Sequence, residues 1–244
     1  MKTILNANLP QNRVTHVALS CEAYDLVGYL DTLGINTVQI KTSNKILPCL
    51  ASHTDLHILP LGAAEVWISR DQQASKPILE QLGFNVHVLE EDLSINYPND
   101  VMLNAAIVGN NVFLNKKSIC KDINFTDKNI INVKQGYTKC SICIINSNAI
   151  ITDDKGIHSA ATTNQMDSLL IEKGDILLRG LNYGFIGGCC GLLDKSTLLF
   201  NGNLKTHRNY DRIIGFLKNY KVDAMSFGRY PLTDIGGIVP LLEK

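Results

Sequence analysis

One feature constrains this chain most: a strand, strand, helix, strand order that recurs along it. Residues 53–61, His-Thr-Asp-Leu-His-Ile-Leu-Pro-Leu, alternate as a strand does, and residues 65–70 give a second. Residues 73–82 form an amphipathic pattern stopped by Gly83, and residues 85–89 give the closing strand. The next pair, residues 100–108 and 111–114, is joined by Gly109-Asn110, a hairpin signal. Its closing strand is 130–133, with a short or missing helix before it. Residues 139–145 and 149–152 follow, then a predicted helix at 164–171 and a strand at 175–178. Strands at 184–193 and 198–200, a helix at 210–218 and a strand at 222–227 make the next unit. The first strands start near Asp55, Asp100, Cys140, Gly187 and Asp234, spaced by 45, 40, 47 and 47 residues.

The fifth unit has only residues 234–242 before the sequence runs out, and the start of the chain holds the remainder. Residues 14–19 read as a strand, 22–33 as a helix stopped by Gly34, and 36–40 as a strand. Pairing of the C-terminal strand with the N-terminal one closes five units into a ring and leaves no sheet edge open. The expected fold is therefore α/β: a five-fold pseudosymmetric α/β-propeller in a single domain over residues 1–244. An open α/β sheet of unrelated units is the alternative. Four-stranded propeller repeats fit worse, because they carry no helix per blade. The glycines of 184–191 have the wrong spacing for a dinucleotide fingerprint.

Composition removes several functions. Lys+Arg and Asp+Glu are 23 each, for a net charge of zero, and no basic stripe is present, so nucleic acid is not an expected partner. No run approaches the roughly 20 apolar residues that span a bilayer. The opening Met1-Lys2-Thr3 turns polar too early for a signal peptide, which predicts a cytoplasmic protein. Seven cysteines in such a chain read as reduced, mostly packed thiols.

A ring of five such units resembles the pentein fold of the guanidine-group-modifying superfamily, which includes arginine and agmatine deiminases, dimethylarginine dimethylaminohydrolases and amidinotransferases, and also a non-catalytic ribosome-associated factor. His53-Thr54-Asp55 is similar to the superfamily's His-x-Asp strand start. The stretch from Pro98 through Asp100 to Leu114 is similar to its middle unit, and Gly136-Tyr-Thr-Lys-Cys140 falls where its cysteine strand would fall. Asp234-Ile-Gly236-Gly237 is similar to its acidic Gly-Gly strand. The resemblance implies Cys140 as nucleophile, His53 as base, and Asp55, Asp100 and Asp234 as carboxylates for a guanidine or amidine ligand, with no cofactor and no metal. This order implies a circular permutation. Without permutation, Pro240 stands in the place of the cysteine and the nucleophile is lost. The alternative is thus a non-catalytic pentein that binds a small molecule or a macromolecule.

Each candidate also has a plain structural explanation. Cys140 fits a packed strand cysteine, His53 and Asp55 fit mutual bonding, and Asp100 and Asp234 fit turn caps. His53 and Asp55, two apart on a strand, share a face. Cys140 and Cys143, three apart on a strand, point to opposite faces and do not chelate one ion. A mixed metal site of His53, Asp55, Cys140 and Cys189 stays open, as does the oligomeric state.

Overall fold

The computed structural model describes residues 1–244. In chain order its elements are β1 (Lys2–Thr3), β2 (Val14–Ser20), α1 (Tyr24–Thr32), β3 (Asn36–Ile40), α2 (Thr54–His57), β4 (Ile58–Gly62), β5 (Glu65–Ile68), α3 (Lys76–Gln81) and β6 (Asn85–Val88). They continue with β7 (Ala106–Val108), β8 (Asn111–Leu114), β9 (Asn129–Asn132), β10 (Ile142–Asn146), β11 (Ala149–Thr152), α4 (Lys155–Thr163) and β12 (Asp167–Leu170). The last are β13 (Cys190–Asp194), β14 (Thr197–Asn203), α5 (Tyr210–Asn219), β15 (Asp223–Pro231) and β16 (Val239–Glu243).

The strands form five small mixed sheets. Four are built alike: an antiparallel hairpin, then a connection, then a third strand parallel to the second. They are β4-β5-β6, β7-β8-β9, β10-β11-β12 and β13-β14-β15. The fifth is assembled from both ends of the chain, in the order β1-β16-β2-β3. There β16 lies antiparallel to β2, with Val239 opposite Ala18, and antiparallel to β1, with Leu242 opposite Thr3. The expected meeting of the two chain ends is therefore present.

Left-handed residues shape two of the four hairpin turns: Gly62 (φ 92°), Ala63 (φ 47°) and Ala64 (φ 71°) at β4–β5, and Gly109 (φ 62°) at β7–β8. The longer helices end on one left-handed residue before the parallel strand: Gly34 after α1, Gly83 after α3, Gln165 after α4 and Lys221 after α5. Apolar side chains from the sheets and helices then pack inward, with Phe113 and Phe200 fully enclosed.

Several predicted elements are displaced. The helix expected at 164–171 lies at Lys155–Thr163, capped by Asp154, whose carboxylate accepts from the Ile157 N–H at 2.9 Å. Residues Asp167–Leu170 are strand instead. The segments expected to begin each first strand are bent rather than extended. His53 sits at the N-cap position of the short helix α2, which holds Asp55, Asp100 lies in a turn, Cys140 lies in a turn before β10, and residues Ile186–Cys189 form a 3-10 turn. Asp234 lies in the irregular stretch before β16. The alternation of residue types over 53–61 suggests an extended chain, but the backbone at its start hydrogen-bonds out of its own sheet.

Candidate functional site

The bent segments meet one another, and a circuit of hydrogen bonds runs through all five sheets and returns to its start. The Asp55 N–H donates to the Gly236 carbonyl at 2.9 Å, joining the β4 sheet to the β16 sheet. The Asn104 amide donates to the Asp55 carbonyl at 2.9 Å, bringing in the β7 sheet. The same side chain accepts from the Lys139 N–H at 2.7 Å, reaching the β10 sheet. The Gly188 N–H, before β13, donates to the Cys140 carbonyl at 3.0 Å. The Gly237 N–H donates to the Gly188 carbonyl at 2.7 Å and completes the circuit. Two glycines permit such close crossing. A Cβ on Gly236 (φ +78°) would overlap the Thr54 backbone nitrogen, and one on Gly188 would overlap an Asp234 carboxylate oxygen.

Four of the five expected residues gather at this circuit. His53 Nδ1 lies 3.6 Å from Asp234 Oδ1, and both side chains are buried. The Asp234 carboxylate is well held: Oδ1 accepts from the Gly236 N–H at 3.0 Å and Oδ2 from the Phe185 N–H at 2.9 Å. Burial lowers the His53 pKa, and Asp234 and Glu22 oppose that shift, so the resting imidazole is neutral and able to take a proton. Cys140 Sγ receives a hydrogen bond from the Asn104 amide at 3.3 Å. Burial raises the Cys140 thiol well above its ordinary value; Asp55 and Asp234 push the same way, and the Asn104 amide opposes. Asp55 is 1% exposed, and neither of its carboxylate oxygens has a partner of full hydrogen-bond geometry. Burial lifts its pKa to about 7, against the pull of Lys139.

Asp100 does not join them. It accepts a hydrogen bond from the Tyr137 hydroxyl, and burial raises its pKa. The contact from its sheet into the circuit is made by Asn104 instead, which the sequence reading missed. The available signal was a lone amide inside the apolar run Val101 to Val108. Lys139, Glu22 and Arg179 were also missed. A cavity of about 490 Å³ opens over the site, lined among others by Ser20, Glu22, Cys49, His53, Arg179 and Asp234. Cys140 and Asp55 do not line it; Cys140 is only 2% exposed. The alternative of a mixed metal site gains no support, since no three His, Cys, Asp or Glu side chains converge with the geometry of metal ligands. No helix is long and apolar enough to cross a membrane.

No curated protein sequence matches the chain. Solved structures do. An inosamine-phosphate amidinotransferase from Streptomyces griseus matches at 8% identity over 100% of this chain and 98% of its own, with a TM-score of 0.63. SxtG, an amidinotransferase of saxitoxin biosynthesis from Microseira wollei, matches at 9% identity over 91% of both chains, with a TM-score of 0.59. An agmatine deiminase from C. jejuni matches at 9% identity over 93% of this chain and 91% of its own, with a TM-score of 0.57. At such identities the likeness is one of fold, and that fold is the pentein fold. The profile of one sequence family, DUF6873, covers residues 20–239, and the chain belongs to this family of unknown function.

Proposed function

We propose that the five sheets stand as a closed five-bladed ring in one domain, and that the polar center of the ring is a thiol site for a guanidine or amidine compound. The observation that carries this reading is the shared environment of Cys140, Asp55 and Asp234. A neutral thiol and two buried carboxylates share one buried environment, in which Asp55 is an unpartnered acceptor. A planar cation with several N–H donors satisfies such acceptors in pairs. Its charge offsets the carboxylates and draws the thiol toward thiolate, so the ligand itself activates the nucleophile.

In this reading the Cys140 thiol gives its proton to His53 as the sulfur bonds to the guanidinium carbon, and the carbon–nitrogen bond to the departing amine breaks as that amine takes the proton from His53. Water then attacks the resulting thiouronium carbon. His53 accepts the water proton, the carbon–sulfur bond breaks, and His53 returns that proton to the sulfur to restore the thiol. The net change is guanidine plus water to a urea and ammonia or an amine. Asp234 orients His53, and Asp55 binds the cation.

A second reading is favored by a separate observation: Cys140 is 2% exposed and lies outside the cavity over His53. Here the site binds a cationic ligand and does not turn it over. Labelling with a haloacetamidine followed by peptide mapping separates the two. Selective alkylation of Cys140, lost in His53→Ala and Asp55→Ala, is expected of the hydrolase, together with ammonia release from one or more guanidines. Slow, uniform labelling of several cysteines would leave only the binding reading.

A further inference from the structure

A second pocket lies away from the ring center, at the corner where β11 passes into α4. Its volume is about 740 Å³, and its lining includes Asp153, Lys155, Glu172, Lys173 and Arg212. The corner sits at the carboxyl end of a strand in a parallel pair, β11–β12, and beside the N-terminus of a nine-residue helix. Strand ends of this kind are where α/β proteins place ligands, and helix N-termini favor anionic groups.

The charges are sorted by depth. On the inner side is Asp153, 4% exposed, whose Oδ1 is buried and has no hydrogen-bond partner. Leaving a buried carboxylate oxygen unpaired costs free energy unless a donor arrives. The other two acids are occupied: Asp154 caps α4, and Glu172 pairs with Arg208 at 3.4 Å. The three cations are exposed at the rim. Arg212 donates one N–H to the Leu170 carbonyl at 3.0 Å and keeps other donors free. Lys155 and Lys173 make no ion pair, since the lysine pairs of the chain are those of Lys2, Lys45 and Lys76. Lys173 rests 5.8 Å over the Tyr183 ring.

We propose that this pocket binds a small zwitterion, its ammonium on the Asp153 carboxylate and its anionic oxygen group on Lys155, Lys173 and Arg212. The inference does not rest on the thiol reading of the ring center. The anionic group is a carboxylate in a free amino acid or a phosphate in an amino-alcohol phosphate.

Thermal shift followed by calorimetric titration of the full chain tests this with two arms, the twenty free L-amino acids and O-phosphoethanolamine. Matched amines lacking the anion, and acids lacking the amine, serve as controls. Saturable binding in either arm is expected, weakened by about tenfold or more in Asp153→Asn, which strands the ligand's ammonium. The exposed double variant Lys155→Ala/Lys173→Ala should weaken it too, and it carries the test if Asp153→Asn fails to fold. Cys140→Ser should bind as the parent does. Absence of binding in both arms overturns the proposal. So does equal binding of the amine or acid controls, or binding that survives the double lysine variant.

Discussion

Two corners of the molecule are built alike and finished differently. At the first, β2 runs into α1 and opens on the cavity over His53 and Asp234. At the second, β11 runs into α4 and opens on the cavity over Asp153. The first helix has no side-chain cap, and Ala23 sits at its N-cap. The second is capped by Asp154. Asp234 has both oxygens on backbone N–H groups, whereas Asp153 leaves one oxygen unpaired. A fully bonded buried carboxylate positions its neighbors. One left short of partners is a place for something to arrive.

The comparison predicts different responses to mutation, the largest where the five sheets meet. Under the hydrolase reading, Cys140→Ser should reduce ammonia release by at least about a thousandfold while leaving the fold intact, as followed by circular dichroism. If guanidine turnover survived that change, the thiol would have no part in it. Next in size is Gly188→Val. Its branched side chain is driven into Asp234, and denaturant unfolding should show a loss of about 4 kcal/mol. A similar substitution at exposed Gly156 in the first turn of α4, where a Cβ meets an Asp154 oxygen at 3.1 Å, should cost far less.

The third prediction uses pH. Asp55 titrates at about 7 in the folded chain, above its ordinary 3.8, so the folded state holds that proton more tightly than the unfolded state does. Its contribution to stability is full below about pH 4 and is lost as pH rises through 7. Asp55→Asn removes that loss. The variant should therefore gain on the parent from pH 4 to 7 and level off about 4 kcal/mol above it, read as urea midpoints across pH. A flat difference would mean that the carboxylate is solvated or paired. The smallest effect is expected at the second corner, where Asp154→Ala removes the α4 cap at a cost of about 1 kcal/mol. Ala23→Ser at the uncapped α1 offers the converse, a gain of a few tenths to about 1 kcal/mol.

Much of the fold was legible because its signals are local. Gly34 and Gly83 mark where α1 and α3 end, and Gly109-Asn110 marks a hairpin. The register of α4 was lost where the same backbone conformation is carried by Gln165, a residue that gives no such signal. The cue to read instead was Asp154, a capping residue type two positions past the end of β11 and at the true helix start. The site was half legible. His53, Asp55, Cys140 and Asp234 were found through a family resemblance, but their backbone was expected to be extended. Strand alternation describes side-chain faces; it carries no information on which sheet an N–H will bond to, and here the Asp55 N–H crosses to Gly236. The resemblance points to Asp100, while the uncharged Asn104 does the bridging, with one amide touching Asp55, Lys139 and Cys140.

The placement of β16 between β1 and β2 has a consequence for synthesis. A ribosome that has made residues 1–238 has yet to deliver the strand those two early segments flank. Until it does, β2 presents an unpaired edge and a half-covered apolar face to the crowded cell. The nascent protein therefore waits on residues 239–243 to cover what residues 14–20 expose, and a stall in translation before residue 239 would leave that edge open.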